Sequence, residues 1–242
     1  MHLIDTHFHL DLYPKPEALV LEIEALKIYT IAVTNTPSVF DFTYQVTKNL
    51  KYVRAAIGLH PELALQRKSE LPLFKEHLGK TRFVGEIGLD YGNLNDLEKR
   101  QQRNIFESIL DSCATSKDKI LTVHSRGTAS DVISTIGNNF PGKIILHWFS
   151  GSIRELEQAV EFGFYFSINS AMASSVKGKR LILNIPSDKL LTETDGPFIE
   201  VERKPALPSD VVLTLEKLAT MRDISIDSQR SIIFNNFKSL LE

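Results

Sequence analysis

Short β-rich runs recur along this chain at near-regular spacing, with helical patterns between most of them, and that alternation limits the fold more than any other feature. The runs are Leu3 to His7, Thr30 to Thr34, Tyr52 to Gly58, Phe83 to Ile87, Ile120 to Val123, Ile144 to Leu146, Phe164 to Ile168 and Lys189 to Thr192. Eight strands alternating with helices predict an α/β fold, a parallel sheet closed into a (β/α)8 TIM barrel. Tyr29 to Val33 and Lys119 to Val123 are nearly continuous apolar runs, as a sheet covered on both faces requires. Between the runs, Pro16 to Lys27 places Leu19, Ile23 and Leu26 on one helical face, and Glu98 to Ala114 does the same with Ile105, Phe106, Ile109 and Leu110. A proline-rich loop, Pro197 to Pro208, follows the last run, and two helical segments complete the chain. No linker interrupts the 242 residues, so one domain over 1–242 is expected. An open doubly wound sheet shares the alternation; the placement of polar residues separates the two.

Composition narrows the function classes. A net charge of −2 argues against a protein that coats long nucleic acid, which requires neutralising many phosphates, but leaves room for a pocket that holds a few. No apolar run approaches the ~20 residues of a membrane span, and Met1-His2-Leu3-Ile4-Asp5 lacks a signal-peptide layout, so a soluble cytoplasmic protein without a membrane partner is expected. The single cysteine, Cys113, excludes an internal disulfide and a cysteine-rich zinc knuckle. Its apolar helical surroundings mark it as a buried bystander.

The polar residues fall where a barrel keeps its chemistry, at the C-terminal ends of the strands. His7 and His9 end the first run; two apart on a strand, they share a face and reach one point. His60 closes the third run, Glu86 the fourth, His124 the fifth, His147 the sixth and Asp195 the eighth. Five of seven histidines thus converge on one rim, while His2 and His77 fall outside it and read as structural. Imidazoles and carboxylates without thiolate suit Zn²⁺, Mn²⁺ or Mg²⁺ alike. A central carboxylate such as Glu86 could bridge two ions, which would clamp the attacking and leaving oxygens of an in-line displacement, so hydrolysis is the expected reaction.

Asp5-Thr6-His7-Phe8-His9, Gly58-Leu59-His60-Pro61, Gly85-Glu86-Ile87-Gly88-Leu89-Asp90-Tyr91, His124-Ser125-Arg126, His147-Trp148-Phe149-Ser150-Gly151 and Glu193-Thr194-Asp195-Gly196-Pro197 occur in that order over nearly the whole chain. This set resembles the TatD-like metal-dependent deoxyribonuclease family of the amidohydrolase-type barrels. The resemblance implies that His7, His9, Glu86 and Asp195 hold one divalent ion and Glu86, His124 and His147 a second, with Glu86 as the bridge. Glu193 resembles a carboxylate that holds a third ion or orients a histidine. The implied activity is phosphodiester hydrolysis of DNA, trimming from a 3′ end with a preference for single strands. Asp195 would orient or deprotonate the attacking water, Glu86 would hold the ions and His60 would face the phosphate.

Arg126, two residues beyond His124, is placed to grip a phosphate with its planar fork. Barrels often dock phosphate after their last two strands, where Lys177, Lys179, Arg180, Arg203 and Lys204 stand, with Arg203 and Lys204 the chosen candidates. Tyr91 and Trp148 follow ligand motifs and could stack on a base; Phe149 and Phe198 are expected in the core. Trp148 departs from the family, which more often has a small residue or cysteine there. The stretch Glu200 to Ala206 is a trimmed form of the family's basic loop, similar to members associated with bacterial antiphage defence clusters. RNA is a second possible substrate. Two other readings stand beside DNA cleavage: an amidohydrolase or esterase acting on a small or tRNA-linked ester, and a barrel subunit whose surface docks partner proteins.

Overall fold

The computed structural model describes residues 1–242 as eight parallel strands arranged around one axis. They are β1 (Ile4–Phe8), β2 (Tyr29–Ala32), β3 (Val53–Ala55), β4 (Phe83–Gly88), β5 (Ile120–His124), β6 (Lys143–His147), β7 (Tyr165–Ile168) and β8 (Leu190–Thr192). Each lies within a few residues of its expected run. The third differs most: its ladder ends at Ala55, and only Ile57 makes a further bridge, to Val84. Gly58 explains the break. A Cβ there would lie 2.0 Å from the Thr34 carbonyl and 2.4 Å from the Glu86 nitrogen, so the chain passes too close to its neighbours for any side chain.

The ladders run β1-β2-β3 and β4-β5-β6-β7-β8, and two seams close the barrel. Between β3 and β4, Ile57 N–H donates to Phe83 O at 3.2 Å and Gly85 N–H to Ile57 O at 2.8 Å. Between β8 and β1 the link is made by threonine hydroxyls: Thr6 donates to Thr192 O at 3.1 Å and Thr192 to Ile4 O. Beyond the strands, Asp195 N–H bonds His7 O and His9 N–H bonds Gly196 O, each at 3.0 Å. This last seam joins the first and last polar motifs of the chain.

Every residue of β1, β4, β7 and β8 is buried, including the polar Asp5, Thr6 and His7 of β1 and Glu86 of β4, as strands covered on both faces require. The helices lie outside and turn apolar faces inward. Asp96–Ala114 buries Ile105, Phe106, Ile109, Leu110 and Cys113. It starts two residues before the expected Glu98, because Asn95 accepts hydrogen bonds from Leu97 N–H and Glu98 N–H while Glu98 bonds back to the Asn95 amide. The first helix ends at Ala25, and Lys27 has turned to φ 57°. The loop from Pro197 to Pro208 is not structureless. Glu200–Val201 pairs antiparallel with Lys204–Pro205, and Glu202 and Arg203 at the turn both have positive φ, 50° and 64°, as a two-residue hairpin demands. Val211–Met221 and Ile226–Leu241 are the two closing helices. No helix is long and apolar enough to cross a membrane.

Candidate metal centre

Glu86, buried within β4, divides the centre into two lobes. Its Oε2 faces His7 Nε2 at 3.3 Å and His9 Nε2 at 3.4 Å, and Asp195 Oδ1 lies 3.8 and 3.6 Å from the same two nitrogens. Its Oε1 faces His124 Nδ1 at 2.8 Å, His147 Nε2 at 3.3 Å and His60 Nε2 at 3.4 Å. Donors about 2.1 Å from a shared ion are separated by distances of this order. The Nε2 atoms of His7 and His9 are buried without any hydrogen-bond partner, a costly state that ligation removes. The residues present therefore fit divalent-cation binding around Glu86.

Three of the rings are turned by a bond to the other nitrogen, while His9 Nδ1 is buried without a partner. Thr122 Oγ1 meets His7 Nδ1 at 2.8 Å, Glu193 Oε1 meets His147 Nδ1 at 3.2 Å, and Asp90 Oδ2 meets His124 Nε2 at 2.9 Å. Glu193 is fully buried and also accepts from Ser167 and from Asn169 Nδ2 at 2.9 Å. His60 lies five residues past β3 rather than at its end, capping the short helix Pro61–Ala64, where its Nδ1 accepts from Glu62 N–H at 3.2 Å. A neutral His60 so held carries its proton on Nε2, pointed into the site.

The charges are interdependent. Burial, with repulsion from His147, holds the His7 imidazole down at about 4, neutral and ready to ligate. Burial opposes charge on Glu86, but His60, His7 and His147 outweigh it and keep the carboxyl ionised well below the usual range. Burial also opposes protonation of His9, yet facing Asp195 and Glu86 push it up to about 9. Ligand imidazoles must shed such protons, so metal binding competes with acid.

The backbone is equally constrained. Gly88 has φ 139° opposite His124, and a Cβ there would sit 2.1 Å from His124 O. Gly88→Ala is expected to cost about 2–4 kcal/mol of stability, measured by denaturant unfolding, and to weaken metal uptake by displacing His124.

Above the centre opens a cavity of about 670 Å³. Asn35, His60, Glu62, Ser125 and Arg126 line it, together with Trp148, Ser150, Asp195 and Phe198. Trp148 holds a left-handed φ of 38° and is 37% exposed; a bulky residue in that conformation marks strain kept at a functional rim. Phe198, expected in the core, is instead 62% exposed and packs edge-on to His9 at 5.0 Å, because the chain leaves β8 across the mouth. Phe149 is buried as expected.

Three expected substrate contacts are not brought to this cavity. The Tyr91 hydroxyl accepts from Arg103 at 3.0 Å, and Arg203 and Lys204 are exposed on the hairpin, outside the lining residues. Asp90, Glu62, Asn35 and Thr122 escaped sequence reasoning. Of these, Asp90 alone carried a signal, a carboxylate within the apolar run that follows Glu86. His2 bonds Lys27 O and packs on Tyr29 and Tyr52, His77 packs on Phe40, and burial pushes the Cys113 thiol up to about 12; all three are structural.

A closed α/β barrel with a His-x-His strand end, a central glutamate and an aspartate after the eighth strand defines a metal-dependent hydrolase of the amidohydrolase-like class. Within it, the chain belongs to the TatD-related DNase family, whose model matches residues 4–242. An uncharacterised metal-dependent hydrolase of Bacillus subtilis, YabD, is 27% identical, with 98% of each chain covered. The deoxyribonuclease Tat-D of Schizosaccharomyces pombe is 28% identical over 67% of this chain and 62% of its own. The crystal structure of YJJV, a TatD homologue from Escherichia coli, superposes with a TM-score of 0.87 at 25% identity, covering 98% of this chain and 97% of that one.

Proposed function

We propose that the protein is a two-metal phosphodiesterase that trims DNA, removing nucleotides from the 3′ end of single strands. The observation that carries this reading is the split of donors about the two oxygens of Glu86. His7, His9, Glu86 and Asp195 would hold one ion, and Glu86, His124 and His147 the other. When bound, Mg²⁺, Mn²⁺ or Zn²⁺ would supply Lewis-acid charge to the phosphoryl oxygens and acidify the attacking water. Glu193 spends its oxygens on Ser167, Asn169 and His147, which favours orienting His147 over holding a third ion.

The chain's own groups do the rest. Asp195, on the rim beside His7 and His9, orients the water and takes its proton. His60 donates Nε2–H to a phosphate oxygen, and Arg126 offers its guanidinium on the same wall. Trp148 and Phe198 present aromatic surface to a base, worth about 1–3 kcal/mol per stacked base. A cavity of this volume takes a frayed strand end rather than a duplex, which supports end-trimming.

The test is end-labelled single- and double-stranded DNA and RNA incubated with enzyme across Mg²⁺, Mn²⁺ and Zn²⁺. A metal-dependent ladder shortening single-stranded DNA from its 3′ end is expected, and no cleavage with any ion would overturn the reading. Replacing Arg126 with alanine separates it from ester hydrolysis. KM for oligonucleotides should rise roughly tenfold, as loss of a charge-assisted bond implies, while a neutral carboxylic ester is turned over as before. The reverse pattern would favour an esterase.

A further inference from the structure

Arg126, the one arginine or lysine side chain lining the cavity, is already committed to acids of its own chain. Its Nε donates to Asp90 Oδ2 at 3.0 Å and its Nη2 to Glu62 Oε1 at 2.9 Å. Asp90 is buried and shared with His124, so it belongs to the foundation of the site. Glu62 is different: its side chain is 56% exposed, it lines the cavity, and its own amide fixes His60. One guanidinium thus faces two carboxylates, and this trio places an uncompensated, exposed carboxylate at Glu62 beside the phosphate donors.

We propose that Glu62 is a specificity-determining residue, a charge filter that favours monoanionic phosphodiesters over dianionic phosphomonoesters. The inference rests on the phosphodiesterase reading above. A diester phosphate carries one negative charge, whereas a monoester, with a second pKa near 6, carries close to two at neutral pH. Both reach Arg126 and His60 only by displacing Glu62 from the guanidinium or by lying beside its carboxylate. The Coulomb penalty scales with the charge on the incoming phosphate. The filter therefore admits the internucleotide linkage and weakens the hold on a terminal phosphate, including one on a released product.

The experiment compares metal-loaded wild type with Glu62→Gln, which keeps an oxygen for Arg126 and removes the charge. Bis(p-nitrophenyl) phosphate and p-nitrophenyl phosphate serve as substrates and inorganic phosphate as competing anion. In the variant the diester-to-monoester ratio of kcat/KM should fall roughly tenfold, and phosphate should inhibit at roughly tenfold lower concentration, with metal content and Tm unchanged. An unchanged ratio and unchanged inhibition overturn the filter while leaving phosphodiester hydrolysis standing. A loss of bound metal also overturns it, since Glu62 would then act through the ion site. Failure of wild type to hydrolyse these esters or to cleave any oligonucleotide sinks the phosphodiesterase reading itself, and the filter with it.

Discussion

Glu86→Gln is expected to strip the protein of bound metal and lower turnover at least a thousandfold, about 4 kcal/mol of transition-state stabilisation. The reason lies in the geometry: Oε2 serves His7 and His9, and Oε1 serves His124, His147 and His60. A carboxamide has the same shape but no charge, and it turns an NH₂ group toward one of the two lobes. Each lobe would thereby hold a cation less tightly. Elemental analysis after gel filtration, alongside phosphodiester turnover, tests this. Circular dichroism separates loss of metal from loss of fold. A folded variant with full metal content and full rate would rule out Glu86 as the bridge.

Asp195→Asn is expected to separate chemistry from metal retention. Asp195 faces His7 and His9 only, and no contact joins it to the lobe of His124 and His147. The variant should lose one equivalent of metal at most. Its turnover should fall roughly a hundred- to ten-thousandfold, the range for removal of a general base. Metal stoichiometry and turnover measured together decide the matter. Retention of the wild-type rate would assign the proton to another group.

Much of this architecture was legible because barrel strands appear as short β-rich runs with polar residues at or near their C-terminal ends. β1, β4, β5 and β6 could be read this way, and with them His7, His9, Glu86, His124 and His147. The third strand was read too long, since no local pattern reveals that Gly58 passes within 2.0 Å of Thr34 O and must break the ladder. Tyr91, Arg203 and Lys204 looked well placed by their nearness to motifs. A two-residue offset in a loop or a hairpin turn, however, is enough to direct a side chain away from the mouth.

Chain order and residue type were sufficient to specify the eight-strand alternation and the donors that could meet a metal, because both follow from short-range periodicity and from the chemistry of imidazole and carboxylate. The partnerships came only with three-dimensional closure. Which oxygen of Glu86 faces which histidine, Glu193 beneath His147, Gln102 tying Asp90 to Pro61, and Glu62 on Arg126 are all contacts between segments far apart in the chain. Such contacts depend on the register and seams of the closed barrel, for which a linear pattern carries no signal.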